Sequence, residues 1–220
     1  IDRDENFLII IEDIHWIDPT SEIFIEQFIS KNIKTNCFLL LSSRSKSCFS
    51  PEENSVKEIA LSPLKKVAIK SLAESSLNAK INDEILDIIY GKTDGIALYA
   101  EELTTMLAEK NLIQKKNNTY ELSERVENLN IPSTLTGLLQ SRLKSIGLAI
   151  ETAQIAAIIG REFSYNLLVN SSLKKESFVK DDLEILKRAN IIYNNSENDE
   201  DYIFKHDLIR DAAFESIAKF

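Results

Sequence analysis

Two adjacent carboxylates, Glu12 and Asp13, close the apolar run Phe7-Leu8-Ile9-Ile10-Ile11. A buried strand that ends in acids is where an α/β sheet places its ligands. One acid of such a pair can bind magnesium, directly or through water, while its neighbour orients the water that attacks a phosphate. The same residues fit an ordinary strand end whose acids meet the positive end of the next helix. Arg44 stands just beyond a second apolar run, Cys37-Phe38-Leu39-Leu40-Leu41, and its planar fork can grip an oxyanion. An exposed loop arginine would look the same. His206 opens the last helical stretch, where an imidazole can face a phosphate or simply bond locally. His15 and Trp16 follow the acids with no second metal ligand beside them, and they read as packing that fixes the loop.

Gly91-Lys92-Thr93 copies the tail of a phosphate-binding loop, but Leu86 occupies the place five residues earlier where glycine is required. A helical pattern precedes it rather than a strand, so Gly91 reads as a helix C-cap. No other GxxxxGK[ST] stretch occurs in the chain, and neither a GxSxG elbow nor a cysteine with a nucleophile's partner is present.

The elements that must position these residues follow from pattern. The run ending at Ile11 is short and β-branched, and it predicts a strand buried on both faces. Asp18-Pro19 predicts an N-cap and first helical residue, with Phe24, Ile25, Phe28 and Ile29 on one side of the helix. Strand, helix and strand in this length predict parallel pairing, with the catalytic edge after both strands. A polar loop over 45–55 leads to Ile59 and Leu61, read as one more short strand, and Ser62-Pro63 is read as a helix cap. Asn82 caps a helix ending at Gly91, and 98–109 form another with Leu103 and Leu107 four apart. Asn117-Asn118 predicts a hairpin turn. Beyond a boundary near Ile131 come three helices, a hairpin of 191–193 with 202–204, and a final helix near His206, the order of a winged helix.

The 220 residues are 44% hydrophobic and 28% charged, a globular composition that excludes a disordered chain. With 26 Lys and Arg against 35 Asp and Glu, the net charge is −9, which argues against nucleic acid and anionic membrane as partners. Cys37 and Cys48 show neither disulfide nor metal-ligand spacing and suit a reducing, cytoplasmic setting. No apolar run is long enough to span a bilayer.

The ordered series LIIIEDIHWIDPTS, LLLSSRS, ALSPL, KTDGIALYAEELTTML, IPSTLTGLLQSRL, AAIIGREFS and FKHDLIRDAAFESI resembles the signal-transduction ATPases with numerous domains. This is the STAND branch of P-loop NTPases, AAA/NB-ARC-like in kind. More narrowly it looks like the ATPase module attached to bacterial and soluble adenylate cyclases and to large regulators. The resemblance covers nearly the whole chain and implies an α/β part followed by an all-α part. These would be the C-terminal part of a P-loop NTPase sheet over 1–62, a helical lid with a hairpin over 63–130, and a winged-helix-like domain over 131–220.

The resemblance implies ATP or ADP with Mg²⁺ as cofactors, Glu12 as the magnesium-linked acid and Asp13 as the catalytic acid. Glu12 departs from the commoner Asp at its position. Arg44 matches the sensor arginine. Gly95-Ile96-Ala97 matches in part the glycine–x–proline turn beside the base, with Ala97 in place of proline. His206, in Lys205-His206-Asp207, corresponds to the MHD-type histidine on the β-phosphate of bound ADP. The family's first strand and P-loop would lie before Ile1, so the expectation is a fragment or a remnant that alone neither binds ATP tightly nor hydrolyses it.

Three readings follow. The first is part of an ATPase switch whose partners are nucleotide and linked signalling domains, such as a cyclase or helical repeats. The second is an interaction scaffold without chemistry. The third is a winged-helix DNA-binding module, against which 131–220 carry 11 basic and 13 acidic residues.

Overall fold

The computed structural model describes residues 6–31, 36–44, 56–123, 131–195 and 198–217. The chain divides into two compact units, Ile1–Leu61 and Ser62–Phe220. No helix among the described residues is long and apolar enough to cross a membrane.

In the first unit, β1 (Phe7–Ile11) and β2 (Cys37–Leu41) pair in parallel, with Phe7 opposite Cys37 and Ile11 opposite Leu41. The crossover is α1 (Pro19–Lys31). Asp18 caps it, its Oδ1 accepting from the backbone N–H groups of Thr20 at 3.0 Å and Ser21 at 3.1 Å. Pro19 fits the first helical position because an N–H there has no intrahelical partner. Ile14 and Ile25 form the buried centre, with Ile11, Ile29, Leu39 and Leu41 packed against them.

Three sequence expectations fail in this unit. The strands are covered on one face only: Leu8, Ile10, Phe38 and Leu40 are 62%, 56%, 65% and 48% exposed. A strand of a parallel sheet is buried twice only if helices lie on both sides, and α1 supplies one side. Phe24, expected on the buried stripe of α1, is 68% exposed. Residues 56–61 form no strand, and Ile59 and Leu61 are 70% and 92% exposed, with no neighbour to complete a ladder. The loop expected over 45–55, with Cys48, lies outside the described residues.

The second unit begins with α2 (Lys66–Leu77), β3 (Lys80–Ile81), α3 (Asp83–Thr93), α4 (Ala97–Glu109), β4 (Ile113–Lys116) and β5 (Thr119–Leu122). Ile69, Ala73, Ile85, Ile89, Leu103 and Leu107 are fully buried at its core, each large aliphatic contributing roughly 1.5–3 kcal/mol. Asn82 caps α3 as its sequence suggests, its Oδ1 accepting from the Ile85 N–H at 3.0 Å. The helix, however, runs through Gly91 to Thr93 and ends at Asp94, which adopts the left-handed conformation. Ser62-Pro63 caps nothing, since α2 starts only at Lys66. The preceding segment is held elsewhere, the Leu64 N–H donating to the Gly95 carbonyl at 2.8 Å. Asn117 and Asn118 both take positive φ, 48° and 65°, as the tight β4–β5 turn requires. β5 also pairs in parallel with β3, giving the order β3-β5-β4.

After residues 124–130 come α5 (Leu135–Ser145), α6 (Ala149–Ile159), β6 (Glu162–Ser164), α7 (Tyr165–Ser171), α8 (Glu176–Arg188), β7 (Ile192–Asn195), β8 (Asn198–Phe204) and α9 (Asp207–Glu215). Four helices thus precede the hairpin where three were expected. The extra one, α7, is a two-turn piece capped by Ser164, whose Oγ accepts from the Leu167 N–H at 3.3 Å. β8 is central to a second sheet, β6-β8-β7, antiparallel throughout. The expected all-α part therefore carries two three-stranded sheets among its described residues. Ala153, Leu168, Val179, Leu186, Ile191 and Phe204 centre the second core. α5 serves both cores, Leu138 entering the first and Leu139 and Leu143 the second.

Candidate functional site

The parallel register brings the ends of β1 and β2 level, so Glu12-Asp13 and Ser42-Ser43-Arg44 leave the same edge of the sheet. Ser42 ties the two exits together. Its N–H donates to the Ile11 carbonyl at 3.1 Å, its carbonyl accepts from the Ile14 N–H at 2.9 Å, and its Oγ accepts from the Asp13 N–H at 3.1 Å. Asp13 is left-handed, with φ 53° and ψ 42°, and caps a single 3₁₀ turn, Ile14–Trp16. A non-glycine residue pays for that conformation, and the Ser42 bonds with the buried Ile14 side chain hold it. Ser42 was not singled out from sequence for this role; a hydroxyl directly after the second apolar strand was the available signal.

The Asp13 side chain is half exposed and that of His15 is 15% exposed, and His15 Nδ1 lies 3.7 Å from Asp13 Oδ1. That separation is beyond a hydrogen bond. Both imidazole nitrogens are buried without a partner, and the ring lies 5.3 Å from that of Trp16, which is 81% exposed. Glu12 and Arg44 are exposed. No group of three or more His, Cys, Asp or Glu gathers as a metal cage among the described residues. Two exposed carboxylates at a strand end still suit Mg²⁺, which keeps several waters and takes one or two carboxylates together with substrate phosphates.

Gly95 and His206 belong to the second unit. Gly95 has φ 78°, and a Cβ there would lie 2.4 Å from the Leu64 carbonyl oxygen and 3.0 Å from Pro63 Cβ. Only glycine fits the close approach of the α3–α4 corner to 63–64. Ala97 is the first residue of α4, where proline would be equally at home.

His206 is the N-cap residue of α9, without a capping bond from its side chain. It sits beside an ion network drawn from three parts of the unit. The Arg142 guanidinium bonds the Glu102 carboxylate and the Ala189 carbonyl. Lys205 Nζ lies 2.9 Å from Glu101 Oε1 and 4.0 Å from Glu102 Oε1. Burial, reinforced by Lys205, holds the His206 imidazole below its usual range, with Glu102 and Glu101 opposing. Sequence reasoning missed Glu101, Glu102 and Arg142, because partners 40 to 104 residues apart leave no local pattern.

A cleft of about 450 Å³ lies apart from these residues, between Tyr165, Lys180, Leu183, Glu184, Glu200 and Tyr202.

No family model matches the chain. It is 27% identical over 168 residues to an uncharacterized protein of Rhizobium meliloti (strain 1021), an alignment covering 73% of this chain and 16% of that protein. The chain thus spans about one sixth of the relative's length.

Proposed function

We propose that the chain is part of a STAND-type ATPase switch, in which the β1–β2 edge carries the hydrolytic acids. The observation that supports this best is the level exit of two parallel strands, which gathers Glu12, Asp13 and Arg44 at the edge where open α/β sheets bind ligands. The order of elements from α5 to α9, with its antiparallel β6-β8-β7 sheet, is what a winged-helix domain would present.

In this reading bound magnesium would neutralise charge on the phosphates. Glu12 would hold it, directly or through water. Asp13, its backbone locked by Ser42 and its carboxylate half exposed, would orient the attacking water. Arg44 would reach the phosphate oxygens. His206 would report the nucleotide state to a linked signalling domain, through the packing of α9 against α5 and α6. These 220 residues contain no GxxxxGK[ST] loop, so in this reading the backbone nest for the phosphates would come from other sequence in a longer polypeptide.

Trp16, the single tryptophan of these 220 residues, sits three residues from Asp13, and the signal taken is the part of the emission that Trp16→Phe removes. In the longer polypeptide, Mg-ATP is expected to change Trp16 emission, and Glu12→Gln is expected to weaken the magnesium dependence of that change. Emission indifferent to nucleotide, or a magnesium dependence untouched by Glu12→Gln, would overturn the assignment.

A further inference from the structure

Where α4, α5 and the β8–α9 corner meet, the ion network leaves one titratable group without a partner. Glu102 is 2% exposed, and the Arg142 side chain is 9% exposed. Glu101 and Glu102 from α4, Arg142 from α5 and Lys205 from the end of β8 carry two charges of each sign. His206 Nε2 is buried beside them and bonds nothing. Asp207, next in the chain, is already paired with Arg161 at 3.2 Å. A proton on His206 would place a third cation against two carboxylates that Arg142 and Lys205 already occupy. It would also leave a charged N–H buried with no acceptor, which is costly.

We propose that this corner is a pH-gated latch: with His206 neutral, the Glu101, Glu102, Arg142 and Lys205 network holds α4 to α5 and the β8–α9 corner, and protonation of His206 releases it. Burial holds the imidazole's pKa below its usual range, and this sets the direction. A base whose folded pKa is depressed stabilises the folded form fully above its unfolded pKa, about 6.5 for histidine, and that contribution is lost as pH falls below it.

The chain has two histidines, His15 and His206, so its imidazole NMR spectrum is assignable with one His15→Gln variant. His206 is expected to titrate below the ordinary imidazole range. Hydrogen exchange, corrected for intrinsic rates, would be compared at about pH 7.5 and about pH 5.5, on either side of that range. Protection in α4, α5 and α9 is expected to drop at the lower pH while α3 keeps its own, and His206→Asn is expected to remove the drop. An equal drop in His206→Asn, no drop in the unaltered chain, or His206 titrating at or above the ordinary range would each overturn the latch. The titration of the unaltered chain decides even if the Asn variant does not fold.

Discussion

At Gly95 the backbone of Pro63-Leu64 comes so close that no side chain fits, and the positive φ adds strain to the clash. Gly95→Ala is expected to destabilise the second unit by roughly 1–3 kcal/mol, read by urea unfolding; an unchanged midpoint would show that the corner can move. Arg142→Met would leave the Glu102 carboxylate buried without its bonded partner, an expected loss of about 3–5 kcal/mol. The double variant Arg142→Met, Glu102→Met should cost less than the single one, because the stranded charge is gone. These two sites differ in how they could be read. The Asp18 and Asn82 caps were legible because a cap acts on its own next turn. The Glu102–Arg142 pair was not, since it exists only after two helices pack. Gly91 misled for a related reason: a glycine near a helix end suggests a stop, yet here the turn closes three residues later on Asp94, with Thr93 Oγ1 bonded to the Ile89 carbonyl at 2.8 Å.

Between elements, the difference in burial across the β1–β2 sheet has measurable consequences. Ile25, 5% exposed, anchors α1 on the covered face, whereas Ile10 and Phe38 on the other face are more than half exposed. Ile25→Ala is expected to cost about 2 kcal/mol or more. Ile10→Thr and Phe38→Thr should each stay within about 0.5 kcal/mol. Trp16, whose ring contacts His15 inside this unit, gives the unfolding signal; equal costs on both faces would mean that the bare face is covered in solution. The strands and α1 were legible because an apolar run bounded by charge, then a capped amphipathic stretch, carries its own period. The number of covered faces was not, since it depends on what packs against the sheet rather than on the strand itself. β3 and β6, of two and three residues, escaped because such short pieces show no period, and they exist only through pairing with β5 and β8.

For the whole molecule, the chain divides into two compact units and spans about one sixth of the relative's length. The candidate site was legible as motif residues, because strand ends and helix starts are marked in sequence. What holds them, Ser42 over Asp13 and the ion network beside His206, is tertiary. The chain on its own is expected to show no tight ATP binding by calorimetry, for want of a phosphate-binding loop; a strong complex would mean that the phosphates have another cradle. The decisive measurement is ATP turnover by the longer polypeptide, with and without Asp13→Asn. If Asp13 positions the attacking water, turnover falls by about 10²–10⁴-fold while nucleotide binding is retained. Turnover unchanged by Asp13→Asn would contradict the assignment of this sheet edge as the hydrolytic site.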